Sequence, residues 1–179
     1  GTRPPVAWNK AAASSTVAGR PISLWGVAGN PGAGSYNATL NGVNVDSTTA
    51  GCLPRANPAS GAAYVFSQEA GCIGQNGLLL LCDRLWHNGG FTITSTAAQN
   101  ITQPTLPTRC PTSFTDDTPS TNGYGVLIGV EVSAQTGTGT PTLTMSYTNS
   151  AGTAGRTATN VQATAATSVV QTFYQMGLQ

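Results

Sequence analysis

Turn-forming residues interrupt this chain so often that no long helix can run through it. From about residue 61 onward, short apolar or alternating runs are bounded by Gly, Pro, Asn and Ser. Such punctuation marks strands joined by turns. Phe91 to Ser95 alternates, with Phe91 and Ile93 on one side and Thr92 and Thr94 on the other. Leu143 to Thr148 alternates in the same way, setting Leu143, Met145 and Tyr147 against Thr144, Ser146 and Thr148. Period-two alternation is the signature of a strand with one buried face.

Further strands are expected over Ala62 to Gln68 and Tyr124 to Ser133, and more weakly over Thr157 to Ala163 and Val169 to Met176. Gly77 to Leu85 is continuously apolar at its centre, which predicts a central strand buried on both faces. Asn88-Gly89 is a tight-turn dipeptide and predicts a turn from that strand into Phe91 to Ser95. The Thr/Pro-rich stretch 102 to 122 reads as a loop. About seven short strands with turns between them predict an all-β fold, a single β-sandwich or jelly-roll-like domain over residues 61–179.

Residues 1–60 differ in texture. Trp8 to Val17 could form a short helix, but the rest lacks apolar periodicity, and Gly26 to Gly34 is dense in turn formers around Asn30-Pro31-Gly32. This predicts an extended, loop-rich N-terminal arm packed on something else, with Trp8 and Trp25 as its anchors. The alternative is that both tryptophans cover an edge of the same domain.

Charge narrows the function. Only 7% of residues are charged, against about 25% in ordinary soluble domains. A surface carried by threonine hydroxyls suits contact with other protein. The net charge is +1, and Arg3, Lys10, Arg20, Arg55, Arg84, Arg109 and Arg156 are scattered, so no basic stripe exists for a phosphate backbone. Leu78 to Cys82 is too short to span a bilayer. The chain begins at Gly1 with no basic-then-apolar leader, which fits removal of an initiator Met or cleavage from a precursor. Nucleic acid, membrane and small-molecule substrate are therefore not expected as partners.

Nothing here assembles a catalytic set, so no enzyme and no cofactor are expected. Asp46, Glu69, Asp83, Asp116, Asp117 and Glu131 are dispersed, and the adjacent Asp116 and Asp117 point to opposite sides of an extended chain. Cys82 and His87 would lie on opposite faces of a strand, and no nucleophile turn precedes the cysteine. The Gly26-x-x-Gly-x-x-Gly32 spacing lacks the strand, helix and Lys-Ser/Thr of a phosphate loop. Asn37-Ala-Thr39 and Asn100-Ile-Thr102 match the glycosylation pattern, which arises readily by chance in a Thr-rich chain.

No Cys-x-x-Cys pair occurs and there is one histidine, which argues against zinc. Cys82 is expected to be buried in its apolar strand, while Cys52 and Cys110 sit in Pro-flanked segments that read as exposed loops. Cys52, Cys72 and Cys110 are the candidates for disulfides within or between chains, with a disulfide role and none both left open.

Two segments carry a family resemblance. Leu78-Leu-Leu-Leu-Cys-Asp-Arg-Leu-Trp-His-Asn-Gly-Gly90 is similar to an LLLxDRLxHxGG segment of a group of tailed-bacteriophage structural proteins. Leu143 to Ala158, with Tyr147-Thr-Asn-Ser-Ala-Gly-Thr-Ala-Gly-Arg-Thr157, resembles that group's YTNxxGTxGRT segment, in the same order and at similar spacing. The second reads physically as a glycine-rich hairpin with Arg156 near its tip. The resemblance covers about residues 25 to 179, and the first 25 residues have no counterpart in it. The family pattern continues past the segment matching Phe173 to Gln179 into further strands.

What the resemblance implies is a non-enzymatic virion component, with no catalytic residue to carry over. A capsid decoration, cement or linking protein on the head surface, assembled in the host cytoplasm, is the first expectation. Its partners would be the major capsid protein and copies of itself, in a trimer for instance. Disulfides between subunits could then form once particles leave the reducing cytoplasm. A neck, tail or receptor-contacting appendage is the second expectation, and a secreted β-sandwich binding module is the alternative of another class.

Overall fold

The computed structural model describes residues 5–11, 19–53, 55, 59–60, 67–71, 78–93, 95–107, 110–134, 142–160 and 170–176. These contain ten short strands and no helix. The strands are β1 (Asn9–Lys10), β2 (Gly29–Asn30), β3 (Val43–Asn44), β4 (Trp86–His87) and β5 (Cys110–Ser113). They continue as β6 (Asp116–Ser120), β7 (Gly129–Glu131), β8 (Thr144–Tyr147), β9 (Arg156–Thr159) and β10 (Phe173–Gln175). All pair antiparallel in twos: β1 with β2, β3 with β4, β5 with β6, β8 with β9, and β10 with β7. The fold is all-β in character; among the described residues the ladders remain two-stranded, without sandwich or jelly-roll closure.

The β8–β9 hairpin follows the sequence pattern closely. Thr144 and Ser146 are exposed while Met145 and Tyr147 are half-buried, the alternation that a one-sided strand requires. Its loop is closed by Asn149, whose Oδ1 accepts from the Ala151 and Thr153 amides at 3.1 and 2.9 Å. Arg156 begins β9 opposite Tyr147, close to the tip.

Backbone bonds cross residue 60 repeatedly. Residues 39–45 run between two other segments. On one side Val43 pairs with His87, Val45 donates to Leu85 and Gly89 donates to Thr39. On the other, Gly42 donates to Thr102 and Thr102 donates to Leu40. Residues 21–23 similarly flank 171–173, through the Ile22–Thr172 bridge and the Ser23-to-Gln171 and Phe173-to-Pro21 bonds. The described part of the expected arm is thus woven into the second half of the chain. The sequence pattern misses this because the pairing uses scattered two-residue contacts with no apolar period.

Lys10 ties the N-terminal end in place. Its ammonium donates to the Val27, Pro31 and Gly32 carbonyls at 3.1, 2.8 and 3.1 Å, using all three of its donors. Lys10→Met keeps the aliphatic stem and should cost about 1 kcal/mol, the scale for charge-assisted bonds partly open to solvent. Denaturant titration checks this, and an unchanged midpoint would mean that the tether carries no stability.

Several strand expectations are corrected. Residues 78–82 form no strand, and Leu78, Leu80 and Leu81 are 90%, 73% and 53% exposed rather than buried on both faces. An apolar run becomes a central strand only when strands pair on both sides, and here the ladder with 39–45 is taken by 85–89. Residues 91–93 and 95 are irregular too. The Gln99 amide satisfies Thr92 in place of a neighbouring strand, accepting from its N–H at 2.7 Å and donating to its carbonyl at 2.9 Å. Gly89 therefore continues the β3–β4 pairing instead of turning a hairpin. Of Tyr124 to Ser133, the strand is Gly129–Glu131 alone.

The stretch 102 to 122, read as loop, contains the β5–β6 hairpin, in which Pro111 pairs with Pro119. Proline is tolerated there because each strand of a two-stranded ribbon has a free edge that requires no ladder donor. The expected helix at Trp8 to Val17 begins instead as β1, and its residues 12–17 lie outside the described residues, as do most of the expected strand 62–68 and residues 161–163 of the weaker one.

Candidate functional site

Glu131 is the one charge in the apolar run Tyr124 to Ser133, and its side chain is only 7% exposed. A buried carboxylate needs partners, because desolvation otherwise costs several kcal/mol, on the order of the Born penalty after relaxation. Two groups supply them. Arg84 Nη2 donates to Oε2 at 2.8 Å, and the Tyr36 hydroxyl donates to Oε1 at 2.9 Å. Burial, and then the Glu131 carboxylate itself, push the Tyr36 hydroxyl well above its ordinary range. Tyr36 therefore stays protonated as a donor at any physiological pH.

Trp25 forms the floor of the cluster and is buried. The Arg84 guanidinium lies 4.4 Å from the centre of the Trp25 ring, a cation–π contact. His87 meets the same ring edge-on, at 5.7 Å between centroids and 73° between planes. The indole N–H points to the Ser35 carbonyl at 3.4 Å. Burial, and then Arg84, pull the His87 ring below its ordinary value of 6.5, with Glu131 opposing. The His87 Nδ1 and Asn88 Nδ2 atoms are buried without a hydrogen-bond partner among the described residues.

The glycines around Trp25 explain much of the turn-rich texture of residues 26 to 34. The Gly34 amide donates to the Trp25 carbonyl at 2.8 Å, and a Cβ on Gly34 would clash with the indole ring. Gly26 stands against the Tyr36 ring in the same way. These glycines permit close approach of backbone to aromatic face, which is why no apolar period marks the segment.

Of the residues singled out from sequence, Trp25 is buried against Arg84 and His87 of its own chain. Trp8 is half-buried just ahead of β1. Cys72 lies outside the described residues. Two of the other cysteines reverse their expected environments, Cys110 opening β5 at 4% exposed and Cys82 being exposed with Leu81 beside it, while Cys52 is half-buried. Pro111, the flanking proline that suggested an exposed Cys110, belongs to β5 itself. Asp116 accepts from the Thr118 hydroxyl and amide at 2.6 and 2.9 Å, which hold its carboxyl below the ordinary value.

Tyr36 and Glu131 had no sequence motif. The available signal was physical: a lone acid inside an apolar run demands a buried cation or donor. Among the described residues, no group of three or more His, Cys, Asp or Glu side chains could hold a metal, and no helix is long and apolar enough to cross a membrane. In the cluster both Glu131 oxygens are engaged, and Cys82 is exposed while His87 is half-buried. The arrangement is suited to joining segments: it fastens the 25–36 loop to β4 and β7. Comparison with protein-family models, with curated proteins and with solved structures finds no match to this chain.

Proposed function

We propose that this chain is a non-enzymatic structural protein of a tailed-phage virion, most simply a capsid decoration, cement or linking protein that stabilises the head shell. The observation that carries the proposal is the exposure of Leu78, Leu80 and Leu81, at 90%, 73% and 53%, within the segment that resembles the phage group. Three exposed leucines within four residues, with the half-buried Leu79 between them and no charge, are costly in water, at about 25 cal/mol per Å² of apolar surface. Contiguous apolar surface of this kind marks a protein-contact site. The occupant we assign is the major capsid protein, with copies of this chain as further neighbours. In this reading the paired strands belong to a sandwich or jelly-roll-like body, which the one-sided burial of β8 supports.

The Leu78→Ser/Leu80→Ser/Leu81→Ser variant tests the assignment. These side chains are solvent-facing, so the isolated chain should keep its stability to within about 0.5 kcal/mol. Incorporation into particles should fall at least tenfold when quantified by gel densitometry. Wild-type incorporation by the variant would exclude the leucines as the contact. Cryo-electron microscopy of intact particles places the chain: hundreds of copies on the shell agree with a cement protein, and a few copies at the neck or tail would move it there. Absence from any particle would overturn the virion reading in favour of a β-sandwich binding module.

A further inference from the structure

The chain contains one histidine, and it stands where a positive charge is hard to accommodate. His87 lies on the ring of Trp25, which already carries the Arg84 guanidinium. Its Nδ1 is buried and meets no hydrogen-bond partner among the described residues. Glu131 is the acid that favours a proton there, but its charge is already paired with Arg84 through Oε2, and its Oε1 accepts from Tyr36. The surrounding elements add little: Val43 and Asn44 of β3 are uncharged, Trp25 is uncharged, and Tyr36 is a neutral donor. On its own segment Asp83 is exposed. Asp46, beyond β3, is exposed and turned to Thr48 and Thr49.

We propose that Trp25, Tyr36, Arg84, His87 and Glu131 form an acid-sensitive latch, in which protonation of His87 loosens the joint between the 25–36 loop and strands β4 and β7. Added to the neutral ring, the proton places a second cation on the ring that already carries Arg84, and it leaves the buried Nδ1–H with no acceptor among the described residues. Relief comes from moving the ring off Trp25 or from drawing Glu131 away from Arg84, and either movement frees the loop. Neutral histidine is the state in which the latch is closed.

The direction with pH follows from linkage. The unfolded chain binds the proton near the ordinary value of 6.5, whereas the folded chain binds it only at lower pH. The contribution of His87 is therefore fully present above 6.5 and is lost as pH falls through that value to the lower folded one. The latch needs nothing from the virion reading and stands or falls separately from it.

Proton NMR of the wild-type chain tests the first step, since the single histidine assigns its own ring signals. The expected midpoint lies below 6.5, and a midpoint at or above 6.5 would overturn the latch. Hydrogen exchange followed by mass spectrometry, at pH 7.5 and pH 5.5 and corrected for intrinsic rates, tests the second. Residues 23–36 and 129–132 should open at least tenfold more at the lower pH, with the β8–β9 hairpin unchanged. In His87→Gln that pH dependence should disappear. Uniform exchange across the chain, or equal pH dependence in the variant, would rule the latch out. If His87→Gln does not fold, the wild-type midpoint and exchange map still decide.

Discussion

Glu131→Ala is expected to lose about 3 kcal/mol of folding stability, the low end for breaking a buried ion pair. The low end applies because Arg84 is 25% exposed and retains water on one side, while Glu131 is 7% exposed. The loss has two parts. Arg84 keeps its contact with Trp25 but no longer meets the carboxylate, and the half-buried Tyr36 hydroxyl loses its acceptor. Urea titration should show a lower midpoint with an unchanged slope, because the exposed area on unfolding stays the same. Glu131→Gln should lose less, since an amide oxygen can still accept from Tyr36. A loss below about 0.5 kcal/mol for Glu131→Ala would class the pair with exposed salt bridges and remove it as the joint of the fold.

Gly34→Ala is expected to cost about 3 kcal/mol, the upper part of the usual range for overpacking. The added methyl would clash with the Trp25 ring, which is 8% exposed and has Arg84 and His87 against it. Neither partner can retreat cheaply, because the Gly34 amide is bonded to the carbonyl of that same tryptophan. Tryptophan emission should shift to the red as Trp25 is displaced toward water. In the Gly34→Ala background, Trp25→Leu should recover part of the loss, as the smaller side chain makes room. Such non-additivity is the mark of residues in contact. Additive losses would mean that Gly34 acts through its backbone conformation alone.

The sequence determined the class of structure and left the assembly open. Frequent Gly, Pro and Asn, β-branched threonines and period-two runs exclude long helices locally, so the all-β character was legible. The β8–β9 hairpin was the most legible part: the Leu143 to Thr148 alternation and the glycine-rich turn with Arg156 near its tip could be read locally, whereas its register and its closure by Asn149 came from the structure. Local patterns of this kind need no knowledge of distant neighbours.

Tertiary structure alone decided which runs were buried. Leu78 to Cys82 had the composition of a core strand and Cys110 the flanks of a loop, yet the first is largely exposed and the second buried. Burial depends on which segments remain to pair, and residues 39–45 take the place beside 85–89 across a long sequence gap. The cluster around Trp25 was invisible for the same reason. Tyr36, Arg84 and Glu131 are separated by 48 and 47 positions, with no spacing rule between them, and only close packing brings one carboxylate within 3 Å of both donors. The buried acid declared a need for partners, and the fold chose which residues would meet it.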